Sequence, residues 1–86
     1  MANFEERKKW YMAFAMFVQM VDANNGEVVI NDGKINRVFN DADETVMVEY
    51  ADGRTESLAD AKFNVMDAAI KKWRDENPKK FNMLFR

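Results

Sequence analysis

Hydrophobic residues are concentrated near the start of the chain, and their spacing predicts the first element. The stretch from Trp10 to Val21 contains a single polar side chain, that of Gln19. A spacing of three to four residues between apolar positions is typical of a helix with one face in a core. Four residues follow this spacing and form the predicted core stripe: Trp10, Phe14, Phe17 and Val21.

Capping residues set the limits of this helix. Asn3-Phe4-Glu5-Glu6 matches a capping box, with Asn3 as the N-cap and Glu6 reaching back to it. Asn24-Asn25-Gly26 is a stop signal, because Gly26 can adopt the left-handed backbone conformation that ends many helices. The sequence therefore predicts a helix that runs to about Ala23.

A second apolar stripe lies beside the first and consists of Met12, Met16 and Met20. With it, the apolar arc of the helix widens to roughly 260°, whereas an amphipathic helix needs only about 100°. One small sheet cannot cover so wide an arc. Either this methionine face packs beneath the C-terminal helices, or it is a contact surface for a partner protein or for a second copy in a homodimer.

The middle of the chain alternates in the manner of β-strands. Val28-Val29-Ile30 precedes Asp32-Gly33, and a second strand follows over residues 35–39. An Asp-Gly pair between such runs favours a two-residue type I′ turn. The alternation then predicts that Ile35, Arg37 and Phe39 share one face of the sheet.

A second hairpin is predicted from Thr45 to Leu58, with its turn at Asp52-Gly53. A three-residue loop, which pairs Tyr50 with Arg54, is preferred to a two-residue loop, which would place Glu49 opposite Glu56. Ser57 is the predicted N-cap of the next helix. The apolar stripe of that helix is Phe63, Met66, Ile70 and Trp73.

Asn77-Pro78 ends the second helix and opens a short third one, because proline is tolerated only in the first turn of a helix. Phe81, Leu84 and Phe85 form one face of this last segment. The predicted fold is a single α+β domain over residues 1–86. It comprises an N-terminal helix, a four-stranded antiparallel β-meander, a C-terminal helix and a short terminal helix.

Composition argues against catalysis. The 86 residues include neither cysteine nor histidine, which removes thiolate chemistry, disulfides and the commonest general base. Asp41, Asp43 and Glu44 are clustered, but Val46 stands where a calcium-binding EF-hand loop needs glycine. We therefore expect a protein that is not an enzyme and uses neither a metal ion nor a cofactor.

The apolar run of the first helix is also too short for a membrane span. Twelve helical residues extend about 18 Å, whereas a bilayer core is about 30 Å thick. No secretory signal is convincing, because Glu5, Glu6 and the aromatic pair Trp10-Tyr11 do not suit one. We expect a cytoplasmic protein.

Charge is distributed unevenly, although the net charge is only −2. Residues 21–70 contain eleven acidic and four basic side chains. A sheet with an apolar inner face would display many of these acids outward, and such a surface can dock in a cationic groove of the kind that holds nucleic acid. The candidate acidic surface comprises Asp41, Asp43, Glu44, Glu49, Asp52 and Glu56.

The C-terminal segment is basic instead, and it supports an alternative. Basic side chains that alternate with aromatic ones can contact phosphates and stack on bases. The candidate nucleic-acid-binding residues are Lys71, Lys72, Arg74, Lys79 and Lys80, with Arg86 nearby and with Trp73, Phe81 and Phe85 between them.

These patterns favour a small non-enzymatic protein-binding module, with nucleic-acid binding through the basic C-terminus as the alternative. In size, acidity and lack of cysteine, the chain resembles accessory and inhibitor proteins carried by bacteriophages, anti-CRISPR proteins among them. That resemblance implies inhibition of a nucleic-acid-binding complex as one form of the function.

Overall fold

The computed structural model describes residues 4–85 and has the predicted α+β arrangement. The helices are α1 (Phe4–Ala23), α2 (Phe63–Glu76) and α3 (Pro78–Leu84). The strands are β1 (Glu27–Val29), β2 (Ile35–Asn40), β3 (Val46–Tyr50) and β4 (Thr55–Ser57). The predicted N-cap Asn3 and the basic Arg86 lie outside the described residues.

The four strands form one antiparallel sheet in the order β1-β2-β3-β4, so the predicted meander is confirmed. Val28, Val38 and Val48 lie opposite one another on adjacent strands, and each is at most 2% exposed. Side chains of the helices complete one buried cluster with this row. They include Phe17, Met20 and Val21 of α1 and Met66, Ile70 and Trp73 of α2. The helices therefore cover one face of the sheet.

The end of α1 follows the predicted stop signal. The backbone N–H groups of Asn24 and Gly26 both donate to the carbonyl oxygen of Val21, at 3.1 and 2.9 Å. Asn25 and Gly26 both adopt positive φ, at 60° and 91°. The left-handed turn that reverses the chain toward β1 is thus shared between an asparagine and a glycine, the two residue types that adopt this conformation most readily.

The predicted type I′ turn at Asp32-Gly33 is wrong. Such a turn needs positive φ at both residues, but the positive values fall on Asn31 (52°) and Gly33 (90°). The Asp32 carboxylate instead accepts hydrogen bonds from the backbone N–H groups of Lys34 and Ile35, at 3.0 and 2.8 Å. This side-chain bonding replaces the two-residue turn with a wider loop between β1 and β2.

The prediction that Ile35 lies on the same face of the sheet as Arg37 and Phe39 is also wrong. The register between β2 and β3 shifts between Ile35 and Arg37, which is the signature of a β-bulge. Ile35 and Val38 are therefore both fully buried, whereas Arg37 and Phe39 lie on the other face and stay partly exposed. One extra residue on β2 is enough to reverse the alternation.

The preferred register of the second hairpin is confirmed. The Tyr50 N–H donates to the Arg54 carbonyl at 2.8 Å, and the Gly53 N–H donates to the Tyr50 carbonyl at 2.9 Å. Gly53 has φ = 91°, as the bulge position of a three-residue loop requires. Glu56 consequently pairs with Val48 and not with Glu49.

The N-terminus of α2 differs from the prediction. Ser57 caps a one-turn 3₁₀ helix over Leu58–Asp60, where its hydroxyl accepts from the Ala59 N–H at 3.3 Å. The chain then extends through Ala61, and α2 begins only at Phe63. Leu58 is fully buried beneath this turn, so burial of one leucine separates the capping residue from the long helix.

The last helix begins at Pro78 as predicted. Its Phe81, Leu84 and Phe85 are half-buried and pack against the core, which confirms the predicted face. The rings of Phe81 and Phe85 lie 4.9 Å apart, centroid to centroid. This packing holds α3 against α2, and it places Phe81 in the lining of a groove between the helices.

Candidate functional site

The three residues of the predicted methionine face differ in how far they are buried. Met20 is fully buried, Met16 is half-buried, and Met12 is 57% exposed. All the buried residues of α1 lie from Ala13 onward, because the sheet and α2 cover only its C-terminal half. The structure therefore places Met20 in the core and leaves Met12 as the outward member of the stripe.

An exposed apolar face occupies the N-terminal half of α1. Phe4 is 71% exposed and Tyr11 65%, values that are high for large aromatic side chains. Phe4, Tyr11 and Ala15 fall within about 40° of one another around the helix, and Met12 lies beside them. We call Phe4, Tyr11, Met12 and Ala15 the α1 surface. The sequence analysis did not identify this surface, because Phe4 was considered only as part of the capping box and Tyr11 lies outside both predicted apolar stripes.

A groove runs beside this surface, between α1, α2 and α3. Its volume is about 230 Å³, and its apolar lining is Met12, Ala13, Met16, Phe63, Ile70 and Phe81. A second, open depression of about 630 Å³ follows the α1 surface itself. Met12 lines both. The α1 surface and this α1–α2 groove are consequently one continuous apolar region.

Basic side chains surround this region. Arg7 and Lys8 line the depression, and Lys9, Lys71 and Arg74 line the groove. The only acid among the described lining residues is Asp67, which is paired with Lys71 at 2.9 Å. Within residues 4–85, the side chains of Arg7, Lys8 and Lys9 form neither a hydrogen bond nor an ion pair. The region is thus apolar with a positively charged rim, although the chain as a whole is acidic.

The candidate acidic residues do not form one patch. Asp41, Asp43 and Glu44 lie in the loop between β2 and β3, and Asp52 lies in the turn between β3 and β4. These connections are at opposite ends of β3, whose five residues span roughly 17 Å. The acids at the two ends of the sheet therefore belong to separate surfaces.

Most of these carboxylates also bind within the chain. Arg37 bridges Glu49, at 3.2 Å, and Glu27, at 2.6 Å. These hydrogen bonds raise the pKa of the Arg37 guanidinium above its ordinary value. Glu56 accepts a hydrogen bond from the Tyr50 hydroxyl. Arg37 offsets one of these three negative charges, so this face of the sheet attracts a basic partner less strongly than three unpaired carboxylates would.

The loop acids are similarly engaged. The Asp41 carboxylate accepts from the backbone N–H groups of Asp43 and Thr45, at 2.8 and 3.0 Å. Asp52 is paired with Arg54 at 2.8 Å, and its pKa is lowered by the backbone and side-chain hydrogen bonds from Arg54. Within the described residues, only Asp43 and Glu44 of the predicted acidic set have side chains without a partner.

The candidate nucleic-acid-binding residues are partly neutralised as well. Lys71 is paired with Asp67, Lys72 with Glu76, and Arg74 with Asp75 at 3.3 Å. Lys80 donates to the Asn24 side chain at 3.0 Å, and Lys79 is exposed.

Aromatic stacking partners for bases are also less available than predicted. Trp73 is 5% exposed, and Phe81 and Phe85 pack against the core. Of the aromatic residues near the basic cluster, none among residues 63–85 is fully exposed for stacking.

Residues 4–85 contain no group of three or more acidic side chains arranged to hold a metal ion. Nor is any helix in this range both long enough and apolar enough to cross a bilayer. Comparison of the chain with protein-family models, with curated proteins and with solved structures gave no match. The candidate site is therefore defined by its own geometry, and the α1 surface with its groove is the feature that most departs from an ordinary soluble exterior.

Proposed function

We propose that this protein is a non-enzymatic, cytoplasmic protein-binding module that docks on its partner through the α1 surface and the α1–α2 groove. One observation carries the proposal. Three large apolar side chains, Phe4, Tyr11 and Met12, are each more than half exposed and line one continuous apolar depression. Contiguous exposed apolar surface of this kind marks interaction sites more often than single exposed hydrophobic residues do.

The residue types also suit an interface. Tyrosine, phenylalanine, methionine and arginine are enriched where proteins contact each other. Burial of a large apolar side chain contributes about 1.5–3 kcal/mol. Covering Phe4, Tyr11 and Met12 would therefore contribute several kcal/mol toward association, before the entropic cost of binding is subtracted. An inhibitor of the kind carried by bacteriophages is one form of such a module, on the resemblance in size and charge.

Affinity capture from the native cell tests the proposal. The tagged wild-type protein is compared with a variant that carries Tyr11→Glu and Met12→Glu. Because both side chains are exposed, the substitutions should leave the fold intact while placing charge in the centre of the docking surface. We expect the variant to lose the captured partner.

A matched control substitutes exposed apolar residues elsewhere. Val29 is 57% exposed on β1 and Met83 is 75% exposed on α3. The variant with Val29→Glu and Met83→Glu has the same change in charge and should retain the partner. If this control loses the partner and the Tyr11/Met12 variant keeps it, the docking surface lies elsewhere and the proposal is wrong.

The predicted acidic surface is tested with substitutions that leave the internal contacts of the sheet intact. Charge reversal at Glu49 or Glu56 would break the contacts with Arg37 and Tyr50, so lost binding would not separate docking from folding. Asp43→Lys with Glu44→Lys avoids this problem, because both side chains are exposed. We expect this variant to keep its partner.

Nucleic-acid binding through the C-terminus remains the alternative. It predicts affinity for short DNA or RNA that falls steeply with added salt, because phosphate contacts release counterions. Lys79→Glu with Lys80→Glu should then abolish binding. Wild-type protein that binds nucleic acid in this way, and captures no protein, would favour the alternative.

A further inference from the structure

We infer that the occupant of the α1–α2 groove is an acidic amphipathic helix of the partner protein. This inference rests on the proposed function and specifies the chemistry of the partner at the same site. It is drawn from three properties of the region: its length along α1, the apolar lining of the groove, and the sign of the charges around it.

The shape of the region fits a helix. From Phe4 to Ala15 the α1 surface extends about 16 Å, or three helical turns. A ligand helix that packs beside α1 would present one residue per turn to this surface and insert the next row of side chains into the groove. Met12 and Met16 line the groove and have flexible side chains that adjust to such a row. Helix-in-groove recognition uses this combination of an elongated apolar floor and spaced anchors.

The charges select an acidic ligand. Arg7, Lys8 and Lys9 lie on α1. Lys71 and Arg74 line the groove from α2, where they are paired with Asp67 and Asp75. A helix seated in the groove would therefore have one row of flanking positions next to the three cations of α1, and the lining of the groove, with three basic residues and one acidic residue, also has a net positive charge. Glutamate or aspartate at those positions would form charge pairs across the interface, whereas lysine or arginine would be repelled.

A second copy of this chain fits less well. An isologous interface places a surface patch against the same patch of the other subunit. Two positively charged rims would then face each other around a desolvated apolar centre. Homodimerisation through the α1 surface is therefore an outcome that would overturn the inference.

An anionic membrane surface is likewise disfavoured. A bilayer is flat on this scale and would contact the protruding Phe4 and Tyr11 but not the side chains inside the groove, such as Met16 and Phe63. The net charge of −2 also gives the whole molecule no general attraction to anionic lipid. Binding to vesicles that contain phosphatidylserine is the corresponding outcome to test.

The experiment uses two stapled helical peptides of about 14 residues, a length that covers the three-turn surface. Both have leucine at the i, i+3, i+4 and i+7 positions, and their flanking positions are all glutamate in one and all lysine in the other. Methyl NMR of the methionine-labelled full chain reports where each peptide binds. We expect the glutamate peptide to shift the methyl signals of Met12 and Met16 and to leave those of Met47 and Met83 unchanged.

Charge-reversal variants test the role of the rim. Lys9→Glu with Arg74→Glu should weaken binding of the glutamate peptide by about tenfold or more and should improve binding of the lysine peptide. Lys34→Glu with Lys79→Glu makes the same change in net charge at exposed positions away from the groove and should leave both affinities within about twofold.

Several results would overturn the inference. The first is equal binding of the two peptides, and the second is binding of the glutamate peptide that Lys9→Glu with Arg74→Glu does not weaken. The third is homodimerisation that Tyr11→Glu abolishes. The fourth is binding to anionic vesicles in place of the peptide. Its failure is separable from that of the proposed function. If cellular capture depends on Tyr11 and Met12 but the glutamate peptide does not bind, only the helix inference is wrong. If cellular capture does not depend on Tyr11 and Met12, and the glutamate peptide does not bind, then both the proposed function and the helix inference are wrong.

Discussion

The indole Nε1 of Trp10 donates a hydrogen bond of 2.7 Å to the carbonyl oxygen of Ala61, 51 positions further along the chain. This contact ties the exposed half of α1 to the segment that leads into α2. The Trp10 ring also stacks on Phe14, with centroids 5.4 Å apart, and meets the edge of Tyr11 at 5.2 Å. One side chain thus fixes the position of α1 beside α2 and supports the aromatic residue at the centre of the proposed docking surface.

Trp10→Phe tests this contact. The substitution keeps an aromatic ring but leaves the Ala61 carbonyl without its donor, so we expect the free energy of unfolding to fall by about 1–2 kcal/mol. Urea denaturation followed by circular dichroism, which does not depend on the substituted tryptophan, measures the change. Tyr11→Phe is the control and should alter stability by less than about 0.5 kcal/mol. Equal midpoints for Trp10→Phe and wild type would show that the hydrogen bond contributes nothing.

The split methionine face gives a second prediction. Met20→Ala should lower the free energy of unfolding by about 2–5 kcal/mol, because the side chain is fully buried and its removal leaves a cavity. Met12→Ala should change it by less than about 0.5 kcal/mol, because Met12 is 57% exposed. The same denaturation measurement compares the two. Equal losses would mean that Met12 is also part of the core.

The turn between β3 and β4 gives a third prediction. Nothing lies within 4 Å of the position that a Cβ atom of residue 53 would occupy, so any cost of substitution comes from the positive φ of 91°. Gly53→Ala should destabilise the protein by about 1–2 kcal/mol. Gly53→Asn should cost less, because asparagine tolerates positive φ better than alanine does. If thermal unfolding ranks the alanine variant at or above the asparagine variant, the assigned turn geometry is wrong.

Ionisation of Tyr50 gives a prediction about pH. Burial, the largest cause, and the hydrogen bond to Glu56 together raise the pKa of the Tyr50 hydroxyl from 10.0 to about 12. The folded protein therefore retains this proton at a pH where the unfolded chain has lost it. The resulting stabilisation is present in full below about pH 10 and is lost as the pH rises toward 12.

The titration can be observed directly in the Tyr11→Phe variant, where Tyr50 is the remaining tyrosine of the two. We expect tyrosinate absorbance to rise with a midpoint of about 12 while circular dichroism reports a folded chain. Glu56→Gln should lower the midpoint without restoring the ordinary value, because burial persists. A midpoint close to 10 in the folded Tyr11→Phe variant would contradict both the burial of Tyr50 and its contact with Glu56.

The elements of the fold were predictable where the signals are local. The stop at Asn24-Asn25-Gly26, the three-residue loop at Gly53 and the start of α3 at Pro78 each depend on the backbone preferences of one or two residues. The bulge in β2 was not predictable in the same way, because burial of both Ile35 and Val38 is decided by packing against the helices. Ser57 was correctly identified as a cap, but burial of Leu58 delays the helix that follows.

The candidate site was only partly predictable. The width of the apolar arc on the first helix left open whether the methionine face is buried by the C-terminal helices or exposed, and the structure buries Met20 and exposes Met12. Which part stays exposed depends on where α2 crosses α1, and this is a tertiary property that helical spacing does not encode. Met20 was therefore grouped with Met12, and Phe4 was overlooked. The pairing of Glu49 with Arg37 was not predictable for a related reason, because it depends on the register between β2 and β3.

Site-specific photo-crosslinking in the native cell tests the docking surface most directly. A photoreactive amino acid replaces Met12 in one variant and Met83 in another, since the two positions are exposed on different helices. We expect the variant at position 12 to form one discrete crosslink to a partner protein, with the attachment site in an acidic helix, and the variant at position 83 to form none. A partner crosslinked from position 83 and not from position 12 would contradict the account.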